Sequence, residues 1–78
     1  MWITYNAEFA KPGVRVASYP NHKGEVLEGT IKSRYGLYGE EYIEVEYSGG
    51  QVCQLLTQTG RYSTKMDTSL DAGMIWKE

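Results

Sequence analysis

The side chains most able to bind a charged ligand are basic residues in the first half of the chain. The first 39 residues hold five basic and three acidic side chains, whereas the remaining 39 hold three basic and seven acidic ones. Strand alternation predicts that Arg15, Lys32 and Arg34 point outward, with His22 and Lys23 on a connecting loop. Cations grouped in this way can neutralise phosphates of a nucleic acid. The alternative is that each is a solvated surface residue.

Aromatic side chains accompany these cations. Seven tyrosines and two tryptophans are many for a chain of this length, and tyrosine rings can stack on unpaired bases. The candidate nucleic-acid-binding residues are therefore Arg15, Tyr19, His22, Lys23, Lys32, Arg34, Tyr35 and Tyr38. Local packing is the alternative for several of the rings. An aromatic cage for a methylated ammonium would require three of them to converge.

A second candidate surface is acidic. Alternation along residues 41–47 predicts that Glu44 and Glu46 project outward, near Glu40 and Glu41, and we call these four residues the acidic strip. Such a strip would attract a basic protein surface and steer its association. The glutamates are poor candidates for glycoside hydrolysis, because the sequence predicts no cleft around them.

Other chemistries have little support in the sequence. Cys53 is the only cysteine, so an internal disulfide is excluded, and no Cys/His cluster offers four metal ligands. A Cys53–His22 nucleophile pair is disfavoured because the sequence predicts one residue in a strand and the other at a loop tip. No glycine-rich phosphate loop precedes a helix. We therefore expect a protein that is not an enzyme, with no metal and no cofactor.

The expected environment is the cytoplasm, with no membrane partner. The start of the chain lacks the basic segment and the apolar run of a secretory signal. No apolar stretch approaches the roughly 20 residues needed to cross a bilayer. A single cysteine is also consistent with a reducing compartment.

Glycines and prolines divide the 78 residues into short stretches that alternate β-branched or aromatic residues with polar ones. The predicted strands are 2–5, 14–18, 26–34, 41–47, 51–56 and 74–76. Gly29 is predicted to mark a bulge or bend. Residues 35–39 are expected to form a connector, and Ser48-Gly49-Gly50 a tight hairpin turn.

This succession of short strands and turns predicts an all-β fold and a single domain over 1–78. We expect a small SH3-like, partly open barrel of five to six antiparallel strands. A short helical turn is possible near residues 69–72. An OB-fold is the alternative, but it usually needs a longer chain and a helix between its third and fourth strands. The expected core is Ile3, Val14, Val16, Val26, Ile31, Ile43, Val45, Val52, Leu55 and Ile75.

Four segments, 11–16, 21–31, 42–47 and 49–52, carry a family resemblance. Their glycine turn, basic loop, Gly-Thr-hydrophobic strand and later Tyr-hydrophobic-acidic-Val strand resemble the KOW and Tudor-like SH3 barrels over roughly residues 9–56. The sequence departs from the pattern at Val14 and after Leu56. The resemblance implies binding without catalysis: KOW-type modules dock RNA, ribosomes or RNA polymerase, and Tudor-like modules bind methylated peptides or nucleic acid. Small phage and plasmid proteins of this shape modulate host machinery.

Two functions follow as hypotheses. The first is a non-catalytic module that binds nucleic acid or a nucleic-acid-handling complex, such as the ribosome or RNA polymerase, through its basic and tyrosine-rich loops. The alternative is a protein-interaction module, for example a phage-type inhibitor or accessory protein, that grips a host or partner protein through the acidic strip and an aromatic rim. The sequence leaves the oligomeric state open.

Overall fold

The computed structural model describes residues 1–62 and 70–78, which form one antiparallel sheet and a short 3₁₀ helix. The strands are β1 (Trp2–Thr4), β2 (Arg15–Ser18), β3 (Glu28–Leu37), β4 (Glu40–Tyr47), β5 (Val52–Leu56) and β6 (Ala72–Trp76), and the 3₁₀ helix is Ala7–Phe9. The strand order is β1-β6-β2-β3-β4-β5. This arrangement confirms the all-β, partly open barrel of antiparallel strands.

The core is formed by the inward faces of these strands. Six of the expected core residues are almost fully buried, namely Val16, Ile31, Ile43, Val45, Leu55 and Ile75. Ile3 and Val14 are partly buried and pack against them. Tyr47 completes the inner face of β4, and its hydroxyl donates to the Leu70 carbonyl at 2.6 Å. Burial raises the pKa of this tyrosine.

Two expected core residues lie outside the core. Val52 is 52% exposed and Val26 is 46% exposed. Residues three apart in a strand lie on opposite faces, so Val52 cannot share the inner face with Leu55, and the buried Cys53 takes the inward position. Val26 precedes β3, so strand alternation does not apply to it.

The β3–β4 connection is shorter than the sequence suggested. Residues 35–37 belong to β3 and pair with residues 40–42, which leaves a two-residue turn at Tyr38 and Gly39. Their φ angles are 51° and 80°, the positive values of a type I′ hairpin, whose twist matches the flanking strands. The predicted turn at Ser48-Gly49-Gly50 is confirmed, with the Tyr47 amide donating to the Gln51 carbonyl at 2.8 Å.

The predicted bulge is not at Gly29, because the β3 register shift lies between Ile31 and Ser33. Gly29 has a packing role instead. A Cβ atom on Gly29 would stand 2.8 Å from Tyr47 Cδ1 and 2.9 Å from the Glu46 carbonyl oxygen. Only glycine lets β3 approach β4 so closely at this point.

The predicted helical turn near residues 69–72 falls partly outside the described residues, because residue 69 is not among them. Its remainder is not helical: Leu70 lies in a turn and β6 begins at Ala72. The Asp71 carboxylate accepts a hydrogen bond from the Tyr62 amide at 2.8 Å instead of capping a helix. Across residues 1–62 and 70–78, no helix has the length and apolarity to span a membrane.

Replacing Gly29 with alanine should lower the free energy of unfolding by about 1–3 kcal/mol, because the added methyl group overlaps Tyr47 and the β4 backbone. Gly36→Ala is the matched control in the same strand, since its nearest neighbour would be the Glu40 carbonyl oxygen at 3.8 Å. Urea unfolding of both variants measures the difference. Equal stability of the two variants would contradict the close approach at Gly29.

Candidate functional site

The eight predicted nucleic-acid-binding residues do not form one surface. His22 and Lys23 lie in the loop before β3, whereas Tyr35 and Tyr38 lie at its far end. A strand rises about 3.3 Å per residue, so Tyr35 and Tyr38 lie roughly 20 to 30 Å along β3 from the loop that precedes it. One short ligand could not contact both ends.

The loop before β3 is organised by Asn21. Its side-chain oxygen accepts from the Lys23 amide at 2.8 Å and from the Glu25 amide at 2.9 Å, as an Asx turn does. His22 and Lys23 are left exposed at the tip. Tyr19 is half-exposed and its ring lies over Gly73. The loop is therefore ordered, and Lys23 is its lone lysine.

The predicted cations on the strands are paired with glutamates. Among residues 1–62 and 70–78, the ion pairs are Arg15–Glu28, Lys32–Glu46 at 3.3 Å and Arg34–Glu41 at 2.8 Å. Two of these glutamates belong to the acidic strip. Cations of the predicted nucleic-acid-binding residues and glutamates of the acidic strip therefore form ion pairs across β3 and β4. This pairing weakens the electrostatic field of both groups.

Arg34 does not point outward as predicted. The register shift in β3 pairs it with Ile43, so its side chain lies on the inward-facing side, 30% exposed. Its guanidinium donates to the Ala10 carbonyl at 2.9 Å and to the Ala7 carbonyl at 3.1 Å. Glu41 lies on the same side because it is two residues from Ile43. Arg34 thus ties the 3₁₀ helix to the sheet.

The aromatic residues near the β3–β4 turn differ in their surroundings. The rings of Tyr35 and Tyr42 lie 6.1 Å apart, and the Tyr35 hydroxyl accepts from Gln54 Nε2 at 2.7 Å. Tyr38 is 95% exposed at the tip of the turn. Tyr5, which was not a candidate, donates to the Thr57 carbonyl at 2.6 Å, and burial raises its pKa to about 12. Several tyrosines therefore have structural roles.

A cluster that the sequence analysis missed lies on the outer face of β1, β6 and β2. Trp2 pairs with Trp76 across the two terminal strands, and their rings meet edge to face with centroids 5.4 Å apart. The Arg15 guanidinium carbon stands 5.4 Å from the Trp2 ring centroid and 5.8 Å from that of Trp76. Cation–π attraction of this kind favours a fixed guanidinium.

Further cations border this cluster. A cleft of about 710 Å³ runs beside Trp76, and its lining includes Phe9, the three cations Lys11, Arg15 and Lys77, and one acidic residue, Glu78. Lys77 Nζ lies 5.1 Å from the Phe9 ring centroid. Within the described ranges, neither Lys11 nor Lys77 has a carboxylate partner. We call the surface formed by the following residues the basic aromatic face: Trp2, Phe9, Lys11, Arg15, Trp76 and Lys77.

Only long-range pairing could have revealed this face. Alternation predicts that Trp2 and Trp76 each point away from the neighbouring Ile3 and Ile75, but nothing local predicts that the two strands pair. Arg15 was a candidate, and it is the one member of the predicted set on this face.

A comparison with protein-family models, curated proteins and solved structures found no match. The KOW and Tudor-like resemblance therefore stays a prediction. In the part of the chain that the structure describes, no group of three or more His, Cys, Asp or Glu side chains could hold a metal ion.

Replacing Arg34 with alanine should destabilise the fold by about 1–2 kcal/mol, because the Ala7 and Ala10 carbonyls lose their hydrogen-bond donor. Lys32→Ala is the control, since Lys32 makes an exposed ion pair of little value. Chemical unfolding of both variants provides the comparison. A larger loss for Lys32→Ala would show that the anchoring role is misassigned.

The Arg34–Glu41 pair should also make stability depend on pH. The hydrogen bond from Arg34 lowers the pKa of the Glu41 carboxyl in the folded state. The stabilisation by this ion pair is therefore complete above the unfolded-state pKa of about 4.3 and is lost as the pH falls through the lower folded-state pKa of Glu41. Glu41→Gln should have a lower free energy of unfolding than the original protein at neutral pH, and urea unfolding at decreasing pH should show this difference shrinking. A difference that is constant with pH would contradict the linkage.

Proposed function

We propose that this chain is a non-catalytic binding module that binds nucleic acid through its basic aromatic face. The observation that carries the proposal is the combination of Trp2, Trp76 and Arg15 with two lysines that have no carboxylate partner in the described ranges. Aromatic rings that can stack on bases, flanked by cations that can neutralise phosphates, are the two parts of a single-strand-binding surface.

The two lysines favour nucleic acid over a protein partner. Trp and Arg are frequent in both kinds of interface, but Lys is depleted from protein–protein interfaces. Lys11 and Lys77 border the cleft beside Trp76, where phosphates of a strand crossing the rings would pass. The net charge of −2 does not oppose this, because many acidic residues belong to β4, on the far side of β3 from this face.

The resemblance to KOW and Tudor-like barrels supports the same class of function, and the RNA of a ribosome or of a transcription complex is within the proposal. The single cysteine of the chain, Cys53, is buried, which suits a cytoplasmic setting. The protein-interaction alternative would use Tyr38 with Glu40 and Glu44, which have no ion-pair partner among the described residues. It becomes an outcome of the test below.

Binding should depend on Lys11 and Lys77 and not on Lys23. A labelled single-stranded oligonucleotide is titrated at several salt concentrations. Contacts from Lys11, Arg15 and Lys77 predict a slope of log affinity against log salt of about −2, which Lys11→Glu with Lys77→Glu should reduce to about −0.7. Lys23→Glu is a control on the β2–β3 loop, which follows the end of β2 away from Arg15, and its slope should stay unchanged.

Intrinsic fluorescence gives a second readout, because both tryptophans of the chain lie on the proposed face. Stacking of bases should quench it. Loss of affinity in Lys23→Glu alone would place the site on the β2–β3 loop. Absence of binding by any strand would refute the proposal, and partner capture that fails in Glu40→Lys with Glu44→Lys would then support the protein-interaction alternative.

A further inference from the structure

A second depression lies next to the basic aromatic face, on the outer surface of β1, β6, β2 and β3. It has a volume of about 530 Å³ and is lined by Trp2, Arg15, Ala17, Val26, Glu28 and Met74. Ala17 pairs with Met74 on one side and with Glu28 on the other, so it lies at the centre. Because alanine is the smallest of these side chains, the surface dips there, and we call the depression the Ala17 groove.

Resting on the proposed function, we infer that the Ala17 groove binds one unpaired guanine base of a single strand. Its volume falls within the range of about 300–1,000 Å³ that small-ligand sites occupy. The floor and walls are apolar, formed by Ala17, Met74 and Val26, with the Trp2 indole at one side. A planar base suits such a site, and a base already paired and stacked in a duplex is not free to enter it.

Glu28 supplies the selectivity. Its Oε1 accepts from Arg15 Nη2, while its Oε2 accepts from no residue in ranges 1–62 and 70–78. The side chain is about half exposed, so a ligand in the groove can reach it. An ionised carboxylate only accepts hydrogen bonds and has two lone pairs on each oxygen, so Oε1 can accept a ligand donor in addition to Arg15 while Oε2 accepts a second, parallel donor.

Guanine is the common base that offers two adjacent donors on its Watson–Crick edge, N1–H and the N2 amino group. Adenine and cytosine place an acceptor beside their single amino donor, and uracil and thymine flank one N–H with two carbonyls. Each of those edges would set a lone pair against the carboxylate and leave a polar group unsatisfied. Arg15 is held by the same carboxylate and keeps other N–H donors for a phosphate.

The test compares thymidine-rich single strands that differ at one central base: guanine, hypoxanthine, adenine, cytosine or thymine. Anisotropy and tryptophan quenching measure affinity. The guanine strand should bind about tenfold more tightly than the adenine, cytosine and thymine strands. Hypoxanthine lacks the N2 amino group and should fall between. Matched RNA strands should show the same order, because the contact is to the base.

Glu28→Gln should reduce the guanine preference to within about twofold, because an amide presents only one acceptor oxygen. Binding of the thymidine strand should persist in this variant, because Arg15, Lys11 and Lys77 remain. Glu44→Gln is the control, since Glu44 lies on β4, away from the groove, and should leave the preference unchanged. Urea unfolding confirms that each variant is folded.

The outcomes separate the two proposals. If every strand binds equally, with the salt slope and the lysine dependence intact, the guanine inference is wrong and the nucleic-acid proposal stands. If Glu28→Gln keeps the full preference, the role of Glu28 is refuted. If no strand binds, the proposed function itself fails.

Discussion

The pairing of β6 with both β1 and β2 is the constraint on which the rest of this structure depends. β6 lies between these strands, with Ile75 opposite both Ile3 and Val16, and these three side chains contribute to one side of the core. Because the same register places Trp2 opposite Trp76, closing the core also assembles the outer cluster. The inward side chains of these paired strands thus stabilise the core, and their outward side chains form the proposed site.

The second organising feature is the distribution of charge across neighbouring strands. On β3 and β4, cations and glutamates alternate closely enough that Lys32 and Arg34 each meet a glutamate from the opposite strand. Opposite charges across an antiparallel pair contribute modestly to pairing and cancel one another's field. The lysines outside the strands, Lys11 and Lys77, form no ion pair with a described residue, and Glu78 is the one acidic residue in the lining of their cleft. The positive charge on this face therefore comes mainly from residues that strand pairing does not neutralise.

Much of the fold could be predicted because it depends on local signals. Alternation along 41–47 correctly placed Ile43 and Val45 inside, and the glycines at 49 and 50 correctly placed a turn. Single-residue shifts were not predictable in the same way. The irregularity at residues 31–33 turned Arg34 from the outer to the inner side, and only pairing with β4 reveals it.

The proposed site was harder to predict, because its members come from both ends of the chain. Trp2 and Trp76 are unremarkable separately, and Arg15 looked like one of several strand cations. The predicted set instead grouped residues that are near in sequence, and the length of β3 then separated them. Proximity in a sheet is set by register, not by sequence distance, so a site on the outer face can be predicted only after the strand order is known.

A chain of this size buries a limited core, and here the barrel interior is filled by its own side chains. A ligand must then bind on the outside, where a depression arises only if a small residue lies among large ones. Ala17 meets that condition between Met74 and Glu28, with the Trp2 ring beside it. The same strand that contributes Val16 to the core therefore contributes the floor of the groove, and core packing fixes the geometry of the proposed recognition site.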